Sequence, residues 1–127
     1  MCRDGKTTFT VEEIVDAALA GKAARILPMT DWPYIYVDDA ARAVVQACFS
    51  KTRKQLSYFI AHPEKVTPDD LAVAAAAAGK PVRLEIANSK PRAARGPVDT
   101  EPAARDFGFR AQVGRREGVR RLIEAAQ

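Results

Sequence analysis

The stretch TPDDLAVAAAAAGKPVRLEI, residues 67–86, sets the tightest limit on what this chain can become. Thr67 suits a helix cap, Pro68 falls in the first turn where its missing N–H costs nothing, and Asp69 and Asp70 suit the positive end of the helix dipole. Gly79 and Pro81 close the helix. Most side chains between them are single methyl groups, so this helix can approach a neighbour closely but buries little apolar area by itself. Val82 to Ile86 then alternates apolar and polar residues, the period of a strand. A small-residue helix running straight into a strand points to helices packed on a sheet, the α/β class, or α+β if the sheet is mixed.

The remaining segments repeat that alternation. TVEE, Thr10 to Glu13, fits a capping box, and Val11, Ile14, Val15, Ala18 and Leu19 share one helical face up to Gly21. Ala24 to Leu27 reads as a short strand before Pro28, and Tyr34 to Val37 as an extended run. Asp38 or Asp39 is expected to cap a second helix, which runs to about Phe49 with Ala41, Val44, Val45, Cys48 and Phe49 as its apolar stripe. Lys51 to Lys54 forms its basic exit. Leu56 to Ala61, LSYFIA, reads as a buried strand stopped by His62-Pro63. A proline- and arginine-rich loop spans Asn88 to Val98, and Thr100-Glu101-Pro102 opens a short helix that ends at Gly108. The last helix places Val119, Leu122, Ile123 and Ala126 on one face, with Arg115, Arg116, Arg120 and Arg121 largely outside it. There is no internal repeat.

At 127 residues, the chain amounts to one domain, residues 1–127. With 47% of residues hydrophobic and 28% charged, it belongs with globular rather than disordered sequences. No apolar run is long enough to cross a bilayer, and the polar start is not a secretory signal. Cys2 lies in a polar terminus and Cys48 on a core stripe, so the two are not expected to pair, and a reduced, cytoplasmic protein is the expectation. The net charge of +4 is uneven: residues 1–79 hold 9 basic and 10 acidic side chains, and residues 80–127 hold 11 and 6. Such asymmetry suits an anionic ligand or nucleic acid.

Few residue sets suggest chemistry. Adjacent residues on a helix point about 100° apart, so Asp38 and Asp39 cannot readily clamp one ion, and capping accounts for both. His62, the only histidine, precedes a proline in a loop and supports neither a zinc site nor a nucleophilic triad. Cys48 reads as packing. There is no glycine-rich phosphate loop. Lys90, Arg92 and Arg95 share one loop and can clamp a phosphate or carboxylate, though scattered arginines also serve as a solvated face.

Four segments in order resemble the C-terminal portion of the NAD-dependent epimerase/dehydratase family, the extended short-chain dehydrogenases. They are YIYVDDAARAVVQA, LSYFIA, TPDDLAVAAAAAGKP and VDTEPAARDFGFRAQVGRREGVRRLIE, together reaching from about Phe9 to Glu124. Tyr36 to Ala43 matches that family's YVDDvArA element. Asp99, Ala104, Arg105, Phe107, Gly108 and Phe109 match its closing pattern, followed by Glu117-Gly118-Val119.

The resemblance implies the C-terminal part of an extended short-chain dehydrogenase fold, shaping a substrate pocket while a Rossmann half holds NAD or NADP. The family's GxxGxxG turn does not occur here. Nor does Tyr-x-x-x-Lys, since Tyr34, Tyr36 and Tyr58 lack lysine four residues on. The expectation is therefore that this chain alone holds no cofactor and is inactive. Sugar-nucleotide members often place Arg-Asp before YVDD, where Trp32-Pro33 stands here. Tryptophan can stack on a ring but cannot neutralise phosphate. Arg92 or Arg95 can match a later family arginine. Trp32, Arg92 and Arg95 are thus the expected substrate-binding residues, for a nucleotide sugar or small sugar acid. The expected partners are that substrate, the Rossmann half and a second copy of the chain. The alternatives are a basic module for nucleic acid or another polyanion, the less favoured partner class, and a non-functional remnant.

Overall fold

The structure, a computed structural model, describes residues 10–28, 32–90 and 98–127. In chain order these form α1 (Thr10–Ala20), β1 (Ala24–Ile26), α2 (Val37–Phe49), α3 (Pro68–Ala77), β2 (Leu84–Ile86), α4 (Glu101–Phe107) and α5 (Arg115–Ala125). They fall into two compact units.

The first unit holds α1, β1, α3, β2 and α5. Ile14, Val15, Ala17 and Ala18 of α1 turn inward. Past its end Gly21 takes φ +66°, which lets Lys22 N–H reach back to the Ala17 carbonyl at 2.9 Å. β1 and β2 pair in parallel, Ala24 beside Leu84 and Ile26 beside Ile86. Parallel neighbours need a long crossover between them, and α3 leads directly into β2. Thr67 caps α3 as the sequence implies: its hydroxyl accepts Asp70 N–H at 3.3 Å, and the Asp70 carboxylate accepts Thr67 N–H at 3.0 Å. The small residues of α3 bring it against α5, burying Leu71, Ala74 and Ala75 on one side and Gly118, Val119 and Ile123 on the other. Leu122, expected on the buried face of α5, is exposed at 37%, and Ala126 is exposed as well.

The second unit holds α2 and α4 with irregular segments between them. Its core is Ala43, Ala103 and Phe109, ringed by Ile35, Tyr58, Ile60, Phe107 and Ala111. Tyr58 and Phe107 meet edge to face at 5.0 Å. Gly108 ends α4 in the left-handed region, φ 71°, turning the chain so that Phe109 enters this core.

Two expectations fail in this unit. Residues 56–61 are not a strand: Tyr58 and Ile60 turn inward with strand-like alternation, but Leu56 and Phe59 are exposed. The nearest ladder-like bond is His62 N–H to the Tyr34 carbonyl at 2.7 Å, too little pairing to make a sheet. The second failure is α2. Its apolar stripe faces outward, with Val44 58% and Phe49 83% exposed and Cys48 exposed as well. Its inner face carries Asp39 and Ala43. Cys48 is therefore not a core residue. The side chain of Asp39 and the small Ala43 face the packed side, and periodicity alone could not show that.

Candidate functional site

Asp38 and Asp39 raised the question of chemistry, and their surroundings answer it. The N-cap of α2 is Tyr36, which has no side-chain capping bond, so neither aspartate caps the helix. Asp38 lies exposed in the first turn, where its charge suits the dipole. Asp39 is 2% exposed, and its carboxylate accepts backbone N–H from Gln112 at 2.9 Å and Val113 at 2.8 Å. Arg42 donates to its other oxygen at 2.9 Å, donates to the Arg110 carbonyl at 2.7 Å, and lies 4.8 Å over the Phe109 ring. Burial alone would raise the Asp39 carboxyl. The Val113 amide, the Arg42 guanidinium and the Gln112 amide outweigh it and hold the group below its ordinary value. A carboxylate buried and held by three donors in this way clamps the 110–113 loop instead of facing a substrate.

Asp106 is a second buried carboxylate, and the sequence offered no sign of it. It accepts the Tyr58 hydroxyl at 2.8 Å and Arg105 Nε at 3.0 Å, bonds that hold it below its ordinary value despite burial. Tyr58 in turn accepts N–H from Lys54 and Gln55, and the Thr52 hydroxyl donates to the Asp106 carbonyl. This network ties residues 52–58 to α4. Tyr58 is thereby committed to structure. Burial pushes the Tyr34 hydroxyl up, the wrong direction for a tyrosine that must give up its proton near neutrality.

An open depression of about 440 Å³ lies beside the network, lined by Gln46, Phe49, Lys51, Thr52, Asp106 and Phe107 among others. The side-chain oxygen of Gln46 is buried there without a hydrogen-bond partner. Among the described residues no group of three or more His, Cys, Asp or Glu side chains is placed to hold a metal. His62 sits in a loop as expected, half-buried, its Nδ1 accepting Glu64 N–H at 3.1 Å.

Of the three expected substrate-binding residues, Arg92 and Arg95 lie outside the described residues. Trp32 is half-buried at the edge of the first unit, its backbone N–H bonded to the Val66 carbonyl at 3.1 Å. Its indole N–H is buried with no acceptor among the described residues, which costs free energy unless something supplies one.

Ion pairs neutralise part of the charge of the basic final helix. Arg120 bonds Glu117 and Glu124, Arg121 bonds Glu117, and Arg115 stands 3.9 Å from Asp70. The two arginines hold the Glu117 carboxyl down to about 2, from an ordinary 4.5. A carboxyl depressed in the folded state contributes stability that is present above its unfolded value and lost as pH falls through the folded one. Unfolding midpoints should therefore fall between about pH 4.5 and 2. In Glu117→Gln that slope should flatten, as measured by circular dichroism melts across the window. An unchanged slope would mean the pairs are not maintained in solution.

No protein-family model and no curated protein matches the sequence. Solved structures do. A UDP-glucuronic acid 4-epimerase from Bacillus cereus, in complex with UDP-glucuronic acid and NAD, matches at TM-score 0.73 and 18% identity, over 94% of this chain and 40% of that one. The apo form of a GalE-like L-threonine dehydrogenase from Cupriavidus necator matches at TM-score 0.73 and 23% identity, over 98% and 49%. Its holo form matches at 0.68 and 26%, over 90% and 40%. The α/β fold is thus that of part of an extended short-chain dehydrogenase, and this chain spans less than half the length of the proteins it resembles. The likeness is one of fold. No helix among the described residues is long and apolar enough to cross a membrane.

Proposed function

We propose that this chain is the substrate-binding part of an epimerase- or dehydratase-like enzyme, acting on a nucleotide sugar or small sugar acid, with the dinucleotide held by a Rossmann half outside these residues. One observation carries the reading: more than nine-tenths of the chain superposes on less than half of proteins that include a UDP-sugar epimerase solved with NAD. Among the described residues no glycine-rich turn opens a helix. Gly21, Gly79 and Gly108, the described glycines with positive φ, all follow helices instead of opening them, so none belongs to a phosphate-cradling turn at a helix N-terminus. In the intact enzyme NAD or NADP would exchange hydride with the substrate. This chain's part is to bind and orient. Trp32 offers a stacking face and an unused indole N–H, and Arg92 and Arg95 offer charge for a carboxylate or phosphate.

Titration calorimetry of the 127-residue chain tests the division of labour. UDP-glucuronic acid or the free sugar acid should bind, and Trp32→Ala should weaken that binding roughly threefold to tenfold. NAD should give no heat of binding, and the chain should show no turnover. Tight NAD binding would overturn the assignment of the cofactor to another half, and absence of sugar binding would overturn the substrate-binding role. The polyanion alternative gains little from α5, because three of its four arginines, Arg115, Arg120 and Arg121, are engaged with Asp70, Glu117 and Glu124.

A further inference from the structure

Helix α2 runs out into Ser50, Lys51, Thr52, Arg53 and Lys54. All three cations are exposed, and none forms a salt bridge with an acidic side chain among the described residues. The helix dipole favours a cation beside the last turn, but its reach ends there and leaves Arg53 and Lys54 unexplained. Covering three unpaired charges with apolar surface would strip them of water at a large cost, so this end of α2 stays at the surface in any larger assembly. The run is also held in shape. Ser50 Oγ accepts Thr52 N–H at 3.1 Å, the Thr52 hydroxyl donates to the Asp106 carbonyl, and Lys54 and Gln55 N–H donate to the Tyr58 hydroxyl.

The depression of about 440 Å³ opens on the same run, with Lys51 and Thr52 in its lining. Phe49, 83% exposed, and Phe107 give it aromatic surface, and Gln46 brings a carbonyl oxygen with no donor. An aromatic ring left in water and an unsatisfied amide suit a ligand with flat apolar faces and N–H groups along its edge, which describes a nucleobase. Cations suit phosphate, and three in succession exceed what one phosphate needs and match a chain of them. We propose that single-stranded nucleic acid binds here. One base enters the depression against Phe49 with its edge toward the Gln46 amide, while the backbone phosphates follow Lys51, Arg53 and Lys54. A duplex does not fit, because its bases are stacked on both faces and paired along that edge. The whole site lies within the second unit, and the inference does not depend on the substrate reading above.

Fluorescence anisotropy of labelled oligo(U) titrated with the 127-residue chain reads the outcome. Binding should saturate, and log affinity should fall with log salt at a slope of about −2, as expected for three phosphates of a single strand. Phe49→Ala should weaken binding about tenfold without unfolding the chain, since that ring is exposed. Lys51→Glu combined with Arg53→Glu should weaken it about a hundredfold. Arg116→Glu, the same charge reversal at an exposed position on α5, should change it by less than about twofold. Polyphosphate of matching charge should compete at least about tenfold more weakly than unlabelled oligo(U), because it has no base to place. Absence of binding, equal affinity for duplex RNA, equal competition by polyphosphate, indifference to Phe49→Ala, or a loss in Arg116→Glu as large as in the double variant would each overturn the proposal.

Discussion

Asp39→Ala is expected to destabilise the chain by about 3 kcal/mol, the cost of removing one partner from a buried, charge-assisted network. The loss has two parts. Backbone N–H groups of Gln112 and Val113 lose their acceptor, and Arg42 loses its counter-charge beside the Phe109 ring. Asp38→Ala, one residue earlier, removes a first-turn charge from an exposed site and should cost about 0.3–1 kcal/mol. Urea denaturation of the two variants separates clamp from helix-end charge, and amide exchange at residues 112 and 113 should accelerate in Asp39→Ala alone. Equal, small losses in both would show that the pair acts only through the helix end. The same clamp is sensitive to acid. The Asp39 carboxyl is held below its ordinary value, so its contribution is intact above the unfolded carboxyl range and fades as pH falls through the folded value.

Phe109→Ala should cost about 3–5 kcal/mol, the range for emptying a large aromatic from a core. The second unit has little to fall back on. The buried residues it packs with are the small Ala43 and Ala103, and the ring also supports the Arg42 guanidinium from 4.8 Å. Against a typical total of 5–15 kcal/mol, that loss is a large fraction of the stability. Thermal unfolding followed by near-ultraviolet circular dichroism of the tyrosines would register it. Phe109→Leu, which keeps most of the volume, should recover more than half. If the alanine variant lost less than about 1 kcal/mol, Phe109 would not be the centre of this core.

These two residues also mark where reading the sequence stops working. Helix limits are local properties, so caps and terminators declared them in advance. Thr67, Pro68 and Asp70 opened α3 as expected, Gly79 followed its end, and Gly108 closed α4. The parallel partner of Ala24–Ile26 and the burial of Asp39 depend on residues 60 or more positions away. No periodicity reports such distances. The candidate site was legible only in part, since the network of Tyr58 and Asp106 left no sign in the sequence. A buried carboxylate has the same letter as an exposed one.

Composition and spacing by themselves determined the α/β class, the five helices and the Thr67 cap, because each follows from a few consecutive residues and the backbone groups they satisfy. Tertiary structure alone decided which face of α2 is inner, that LSYFIA stays unpaired, and that Asp39 is a clamp instead of a cap. Those outcomes depend on which distant N–H groups and side chains arrive to fill a carboxylate's lone pairs or cover an apolar face, and that is settled only when the whole chain has packed.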